Sequence, residues 1–194
     1  MKVIGKSKNI EPILHWASIY LKSQRKEWPR DKLAVVFDID ETVVYRVAHS
    51  ATDERYAHPA MLDIYKLALE LGYHIFFITA RIDVPSSRKE TVKELRSLGF
   101  KKYDGLFMMP EMFLETQEFS LYKWRARQRI LEGKFHIVLN SGDQWHDLLL
   151  IDPHAFVQNE SVKFAQKMPT NEYIIFQPDP TNASWYAVKF PNRR

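Results

Sequence analysis

The chain has no cysteine and only six glycines in 194 residues. Without thiols there can be neither a disulfide framework nor a thiolate zinc site, and the composition suits a reducing compartment. Long apolar runs are missing as well. Nothing approaches the ~20 consecutive apolar residues that a membrane crossing requires, and the opening Met-Lys-Val-Ile-Gly-Lys-Ser-Lys-Asn lacks the apolar centre of a secretory signal. These absences read as a cytoplasmic, intracellular protein with no membrane partner. At 45% hydrophobic residues the chain can bury one substantial core but is too short for two full-sized domains. A single domain over residues 1–194 is therefore expected. The net charge of +4 favours anionic partners, although Lys22, Arg25, Lys26, Arg30 and Lys32 read more simply as the solvated end of a helix.

What is present alternates. Ile13, Trp16, Ala17, Tyr20 and Leu21 recur at helical spacing, giving a helical N-terminal segment within residues 1–30 that Trp28-Pro29 ends. Continuous apolar strands are predicted at 33–37, 74–78, 106–109 and 135–139, with helices over 59–71 and 118–132. Between them Ser87 and Glu90 form an expected capping box for a helix whose face carries Val92, Leu95 and Leu98, with Gly99 as its stop. Gly133 is the expected stop of the helix at 118–132. Strands near 172–176 and 185–190 close the chain, the last as a hairpin or an edge. Buried strands alternating with amphipathic helices predict an α/β fold, a mainly parallel sheet with helices on both faces.

In such sheets ligands bind beyond the carboxyl ends of the strands, and that is where the acidic residues fall. Asp38 and Asp40 close the run Leu33-Ala-Val-Val-Phe37, and their spacing lets both point to one side of an extended segment. Asp143 and Asp147 follow Phe135-His-Ile-Val-Leu139. Two unit charges about 4 Å apart interact by roughly 4 kcal/mol at an effective dielectric of 20, so grouped carboxylates call for a hard divalent cation. Mg²⁺ suits a site with few carboxylates and room for phosphate oxygens. A carboxylate nucleophile, Asp38, could then attack phosphorus and pass through an aspartyl-phosphate. Asp40 is placed to protonate the leaving alkoxide and deprotonate the later water. Thr79, after its strand, offers a hydroxyl and an amide to a phosphate oxygen, and Lys123 adds positive charge.

Phe37-Asp-Ile-Asp-Glu-Thr42, Ile78-Thr79-Ala-Arg81, Lys123 and Gly142-Asp-Gln-Trp-His-Asp147 resemble, in order, the motifs of the haloacid dehalogenase (HAD) superfamily of phosphatases. Tyr122-Lys123 with Arg127, then Asn140-Ser-Gly-Asp-Gln-Trp-His-Asp-Leu148, resembles more closely its acid phosphatase subfamily, with the plant acid phosphatases, vegetative storage proteins and bacterial class B and C enzymes. The resemblance implies a Rossmann-like HAD fold, Asp38 as nucleophile, Asp40 as general acid/base, and Thr79 and Lys123 as phosphate ligands. It also implies Mg²⁺ held by the Asp38 carboxylate, the Asp40 backbone carbonyl and Asp143, with Asp147 in support. Ala80 stands where many relatives have Gly. Only 36 residues separate Thr42 from Thr79, leaving 45–56 for a very short cap.

Competing readings are weaker. A calcium loop at Asp38 would need Gly where Val43 stands and a helix where a strand precedes. A receiver-like signalling domain would carry its acidic pair first and its phosphoacceptor on a later strand, and a storage role sits poorly with retention of Asp38. His136 and His146 lack a second His at ligand spacing and read as structural. Arg81 is open to two roles, phosphate contact or pairing with an acidic neighbour. The expected substrate is a small phosphorylated metabolite such as a nucleoside monophosphate. Nucleic-acid ends or a phosphoprotein are the alternative that the short cap and basic balance favour.

Overall fold

A computed structural model describes residues 2–27, 32–46, 54–113, 118–148, 172–177 and 186–189. In chain order these form β1 (Lys2–Ser7), α1 (Glu11–Glu27), β2 (Leu33–Phe37), β3 (Val44–Arg46), β4 (Arg55–Ala57), α2 (Pro59–Glu70), β5 (His74–Ile82), α3 (Pro85–Ser97) and β6 (Gly105–Met109). They continue with α4 (Phe119–Glu132), β7 (His136–Gly142), a 3₁₀ turn (Trp145–Asp147), β8 (Tyr173–Gln177) and β9 (Tyr186–Lys189). Seven strands make one sheet in the order β1-β8-β9-β7-β2-β5-β6, while β3 and β4 form a separate antiparallel hairpin. β2 lies parallel to β5 and β7, β5 to β6, and β7 to β9; β8 runs antiparallel to β1 and β9.

Why β2 is apolar throughout follows from its neighbours. Leu33, Val35 and Phe37 face one layer, against Ile13, Ala17 and Leu21 of α1 and Met61, Ile64, Tyr65 and Ala68 of α2. Ala34 and Val36 face the other, against Leu121, Tyr122, Ala126 and Ile130 of α4. With both faces covered all five side chains are buried, each large one worth about 1.5–3 kcal/mol. The α/β architecture with a mainly parallel sheet is therefore as expected. After β2 the chain runs outward to β5 and β6, then returns to β7 on the other side of β2, so a topological switch point lies between β2 and β7.

Several local expectations are corrected. The N-terminal segment is not all helical: β1 precedes α1 and is held by pairing with β8. The capping box at Ser87 and Glu90 does not form, because Pro85 starts α3, Val84 is its N-cap without a side-chain bond, and Ser87 falls inside the first turn. Thr91 and Leu95, rather than Val92, are the buried residues of that helix. Gly133 does close α4, but with φ −66°; the left-handed residue is Lys134, at φ 63°. Of the two readings of the last strand, antiparallel pairing with the strand before it holds, β9 lying against β8, and the edge does not, since β9 lies between β7 and β8 and β1 takes the edge beyond β8. Among the described residues no helix is long and apolar enough to cross a membrane.

Candidate active site

Asp38 is the first residue past β2. Its amide donates to the Ser141 carbonyl at 2.9 Å, stitching it to the end of β7, and its carboxylate is buried (4% exposed). Lys123, from the first turns of α4, donates to Asp38 Oδ1 at 2.8 Å and also to Asp147 Oδ1. Thr42 Oγ1 donates to Asp38 Oδ2 at 3.2 Å. Carboxylate oxygens of Asp38, Asp143 and Asp147 all lie within 4.8 Å of one another. Burial pushes the Asp38 carboxyl well above its ordinary value; Lys123 opposes this, while Asp147 and Asp143 add to it. Burial likewise raises Asp143, with Asp147 contributing. For Asp147 burial, which raises it, is outweighed by Lys123, His146 and Arg127 together, and the group is held below its ordinary value.

Asp40 has a different set of partners. Arg81 holds its carboxylate with both arms, Nε to Oδ2 at 2.9 Å and Nη2 to Oδ1 at 2.7 Å, and Thr79 Oγ1 donates to Oδ2 at 3.4 Å. β5 runs on past Thr79 to Ile82, with a register shift against β6 between these two residues, and so delivers Arg81 to this position. Arg55 of β4 approaches Asp40 at 3.7 Å, and Glu94 of α3 bridges Arg81 at 2.6 Å and Arg55 at 3.3 Å. Partial burial disfavours the charged carboxyl, yet the Arg81 hydrogen bonds and the charges of Arg81 and Arg55 prevail and hold it below the usual range. Of Arg81's two open roles, the structure displays the pairing with acidic neighbours.

The loop carrying Asp143 and Asp147 folds tightly on itself. The Gln144 amide donates to Asp147 Oδ2 at 3.0 Å, and the Gln144 side chain to Asp143 Oδ2 at 2.7 Å. Gly142 permits this: a Cβ there would collide with the Asp147 side chain, falling 2.8 Å from its Cγ. Two further buried cations reach the loop's main chain, Arg127 of α4 and Lys189 of β9.

The family model for "HAD superfamily, subfamily IIIB (Acid phosphatase)" matches residues 48–185, a span that takes in Thr79, Lys123, Asp143 and Asp147. The chain belongs to this acid phosphatase subfamily. Among its relatives is acid phosphatase 1 of Solanum lycopersicum, 31% identical over 134 residues, which are 59% of this chain and 51% of that protein. Vegetative storage protein 1 of Arabidopsis thaliana is 34% identical over 91 residues, 47% of this chain and 32% of that one. The chain thus spans about half the length of the tomato relative and about a third of the Arabidopsis one. The class C acid phosphatase of Bacillus anthracis shares the fold, with a TM-score of 0.56 at 16% identity over 93% of this chain and 77% of that one.

HAD phosphatases as a class use a divalent metal, and the residues here fit one. Three carboxylates cluster and one ammonium group bonds two of them, Asp38 and Asp147, and an all-oxygen donor set suits a hard cation such as Mg²⁺. The Asp40 carboxylate is not in this cluster; the resemblance implies only its backbone carbonyl there. Of the residues singled out from sequence, Asp38, Lys123, Asp143 and Asp147 converge directly, and Asp40 and Thr79 adjoin them. Sequence reading missed Arg55, Glu94 and Lys189. Each is a lone charge on a regular element, with no spacing signature to set it apart from a solvated one.

Proposed function

We propose that the chain is a Mg²⁺-dependent phosphomonoesterase working through an aspartyl-phosphate on Asp38. The observation that carries this reading is the meeting of Asp38 with Lys123 and the Asp143–Asp147 loop at the switch point. Asp38, Asp143 and the Asp40 carbonyl would hold the cation, supported by Asp147, and when bound it supplies charge neutralisation at the phosphoryl oxygens. Lys123 opposes the burial that favours the protonated Asp38 carboxyl and balances charge on the transferring group. An Asp38 carboxylate oxygen forms the new bond to phosphorus as the ester P–O bond breaks, and the departing alkoxide takes a proton from the Asp40 carboxyl. Water then attacks the aspartyl-phosphate, Asp40 takes back the proton, and inorganic phosphate leaves with Asp38 restored.

Asp40 must carry a proton at the first step, yet Arg81 holds it ionised. A phosphate dianion is itself a partner for a guanidinium; entering beside Arg81, it would draw that group off Asp40 and raise the carboxyl's proton affinity. Acid–base assistance of this kind contributes about 10²–10⁴-fold.

Beside Asp40 opens a cavity of about 530 Å³ bordered by Arg46, Arg55, Arg81, Ser87, Glu90 and Glu94. Such walls suit a polar alcohol leaving group on a small phosphorylated metabolite. A second reading, a nucleic-acid end or phosphoprotein, is favoured by the cap: among the described residues it is only the three-residue strands β3 and β4. A panel of mononucleotides, sugar phosphates, phosphopeptides and end-phosphorylated oligonucleotides, assayed with Mg²⁺ and with chelator, separates the two by rate ratio. In the same assay Asp38→Asn should abolish turnover while leaving the circular dichroism spectrum unchanged. Normal turnover by that variant would refute the assignment.

A further inference from the structure

Arg127 and Lys189 are buried cations that the reaction just described does not use. Arg127 is 1% exposed and Lys189 fully buried. A buried charge is tolerated only when it is hydrogen-bonded and its field is answered. Arg127 meets that demand without bonding any carboxylate: it donates to Asn140 Oδ1 at 3.0 Å, to the Lys123 carbonyl at 2.9 Å, to the His146 carbonyl at 3.4 Å and to the Asp147 carbonyl. Lys189 donates from Nζ to the Asp143 carbonyl at 2.8 Å and lies over the Trp145 ring, 5.4 Å from its centroid. The β7–β9 register explains its reach, since Lys189 pairs with Gly142, the residue before Asp143.

We propose that Arg127 and Lys189 are positioning residues that brace the acidic loop by its main chain, Arg127 from the helix layer and Lys189 from the neighbouring strand. The carboxylates of Asp143 and Asp147 are thereby kept for the cation. Lys123 works differently, bonding carboxylates directly. Arg127 also ties the Lys123 turn of α4 to the loop, so a single guanidinium sets the distance between the phosphate-binding ammonium and the metal carboxylates. Lys189 lies beyond the residues that the family model matches. The proposal rests on the metal reading given above, and groups that orient metal ligands characteristically contribute about 10–100-fold in affinity.

The test is metal binding without substrate. Mg²⁺ is titrated calorimetrically into the full-length wild-type chain and into Arg127→Met, Arg127→Lys and Lys189→Met, and amide exchange of residues 143–148 is followed in each. Both Met variants should bind Mg²⁺ about 10–100-fold more weakly and exchange faster in 143–148, with exchange in β2 and α2 unaltered. Arg127→Lys should recover part of the affinity. Wild-type affinity in both Met variants overturns the bracing while leaving the metal reading intact. A wild-type chain that binds no Mg²⁺ overturns the metal reading and the proposal with it. Should Arg127→Met fail to fold, Lys189→Met decides the matter alone.

Discussion

Gly142 and Asp147 are locked together: the loop returns so closely that any side chain at 142 would occupy Asp147's space, and Asp147, wholly buried, has nowhere to retreat. Gly142→Ala should therefore displace the Asp147 carboxylate from Lys123. We expect at least about a tenfold fall in kcat/KM, equivalent to about 1.4 kcal/mol, and a higher Mg²⁺ concentration for half activation. Steady-state kinetics across a Mg²⁺ series checks both, and wild-type behaviour would show that the loop can open there. Carboxylates at strand ends were legible from sequence because an acidic residue directly after a continuous apolar run is conspicuous. Arg81 was visible but two-sided, since a guanidinium pairs equally well with a carboxylate or a phosphate. Lys189 gave no sign. Its role arises from the register of β9 against β7, a pairing between distant parts of the chain that no local pattern encodes.

At the scale of single elements, helix ends are where local rules and the structure part company. α4 closes with a left-handed residue, but that residue is exposed Lys134 rather than Gly133. A non-glycine residue there costs about 1–2 kcal/mol, so Lys134→Gly should stabilise the protein by up to about 1 kcal/mol after the extra chain entropy of glycine is offset. Urea denaturation measures this directly, and a destabilised variant would contradict it. A contact between α1 and the residue just before β5 supplies a pH-dependent case. Tyr73 donates its phenol to the Leu21 carbonyl at 2.6 Å; burial raises its pKa to about 12 from the ordinary 10, with Arg25 opposing. The folded state thus prefers the neutral phenol. That preference is fully present below pH 10 and is lost as pH rises toward 12. Tyr73→Phe should lower stability at pH 8 by about 1 kcal/mol, and the gap from wild type should narrow in melts taken between pH 10 and 12. Apolar runs made the parallel strands readable. β1 was not, because Lys2-Val-Ile-Gly-Lys-Ser has neither a long apolar run nor clean alternation, and it becomes a strand only through β8.

For the whole molecule, a site built from buried like charges links folding to its cation. A ligand that binds only the folded state stabilises it by RT ln(1 + [L]/Kd), about 2.7 kcal/mol at a hundredfold excess over Kd. For a chain of this length each kcal/mol shifts Tm by about 2–4 °C. Saturating Mg²⁺ should accordingly raise Tm by about 5–10 °C over chelator-treated protein, and Asp143→Asn should remove most of that increment. Identical melting curves with and without Mg²⁺ would count against the carboxylate cluster as a metal site. The overall architecture was readable because alternating strands and helices leave few topologies open. The cap and the final strands were less so, being short segments whose place depends on partners.

That last point bears on biosynthesis. β9 slots between β7 and β8, so during translation the loop after β7 waits, with one flank uncovered, until residues 186–189 clear the ribosome. A nascent chain arrested before them would have made the three clustered carboxylates and the ammonium group of the crevice and still lack the lysine that seats Asp143. Competence is thus deferred until β9 has been made.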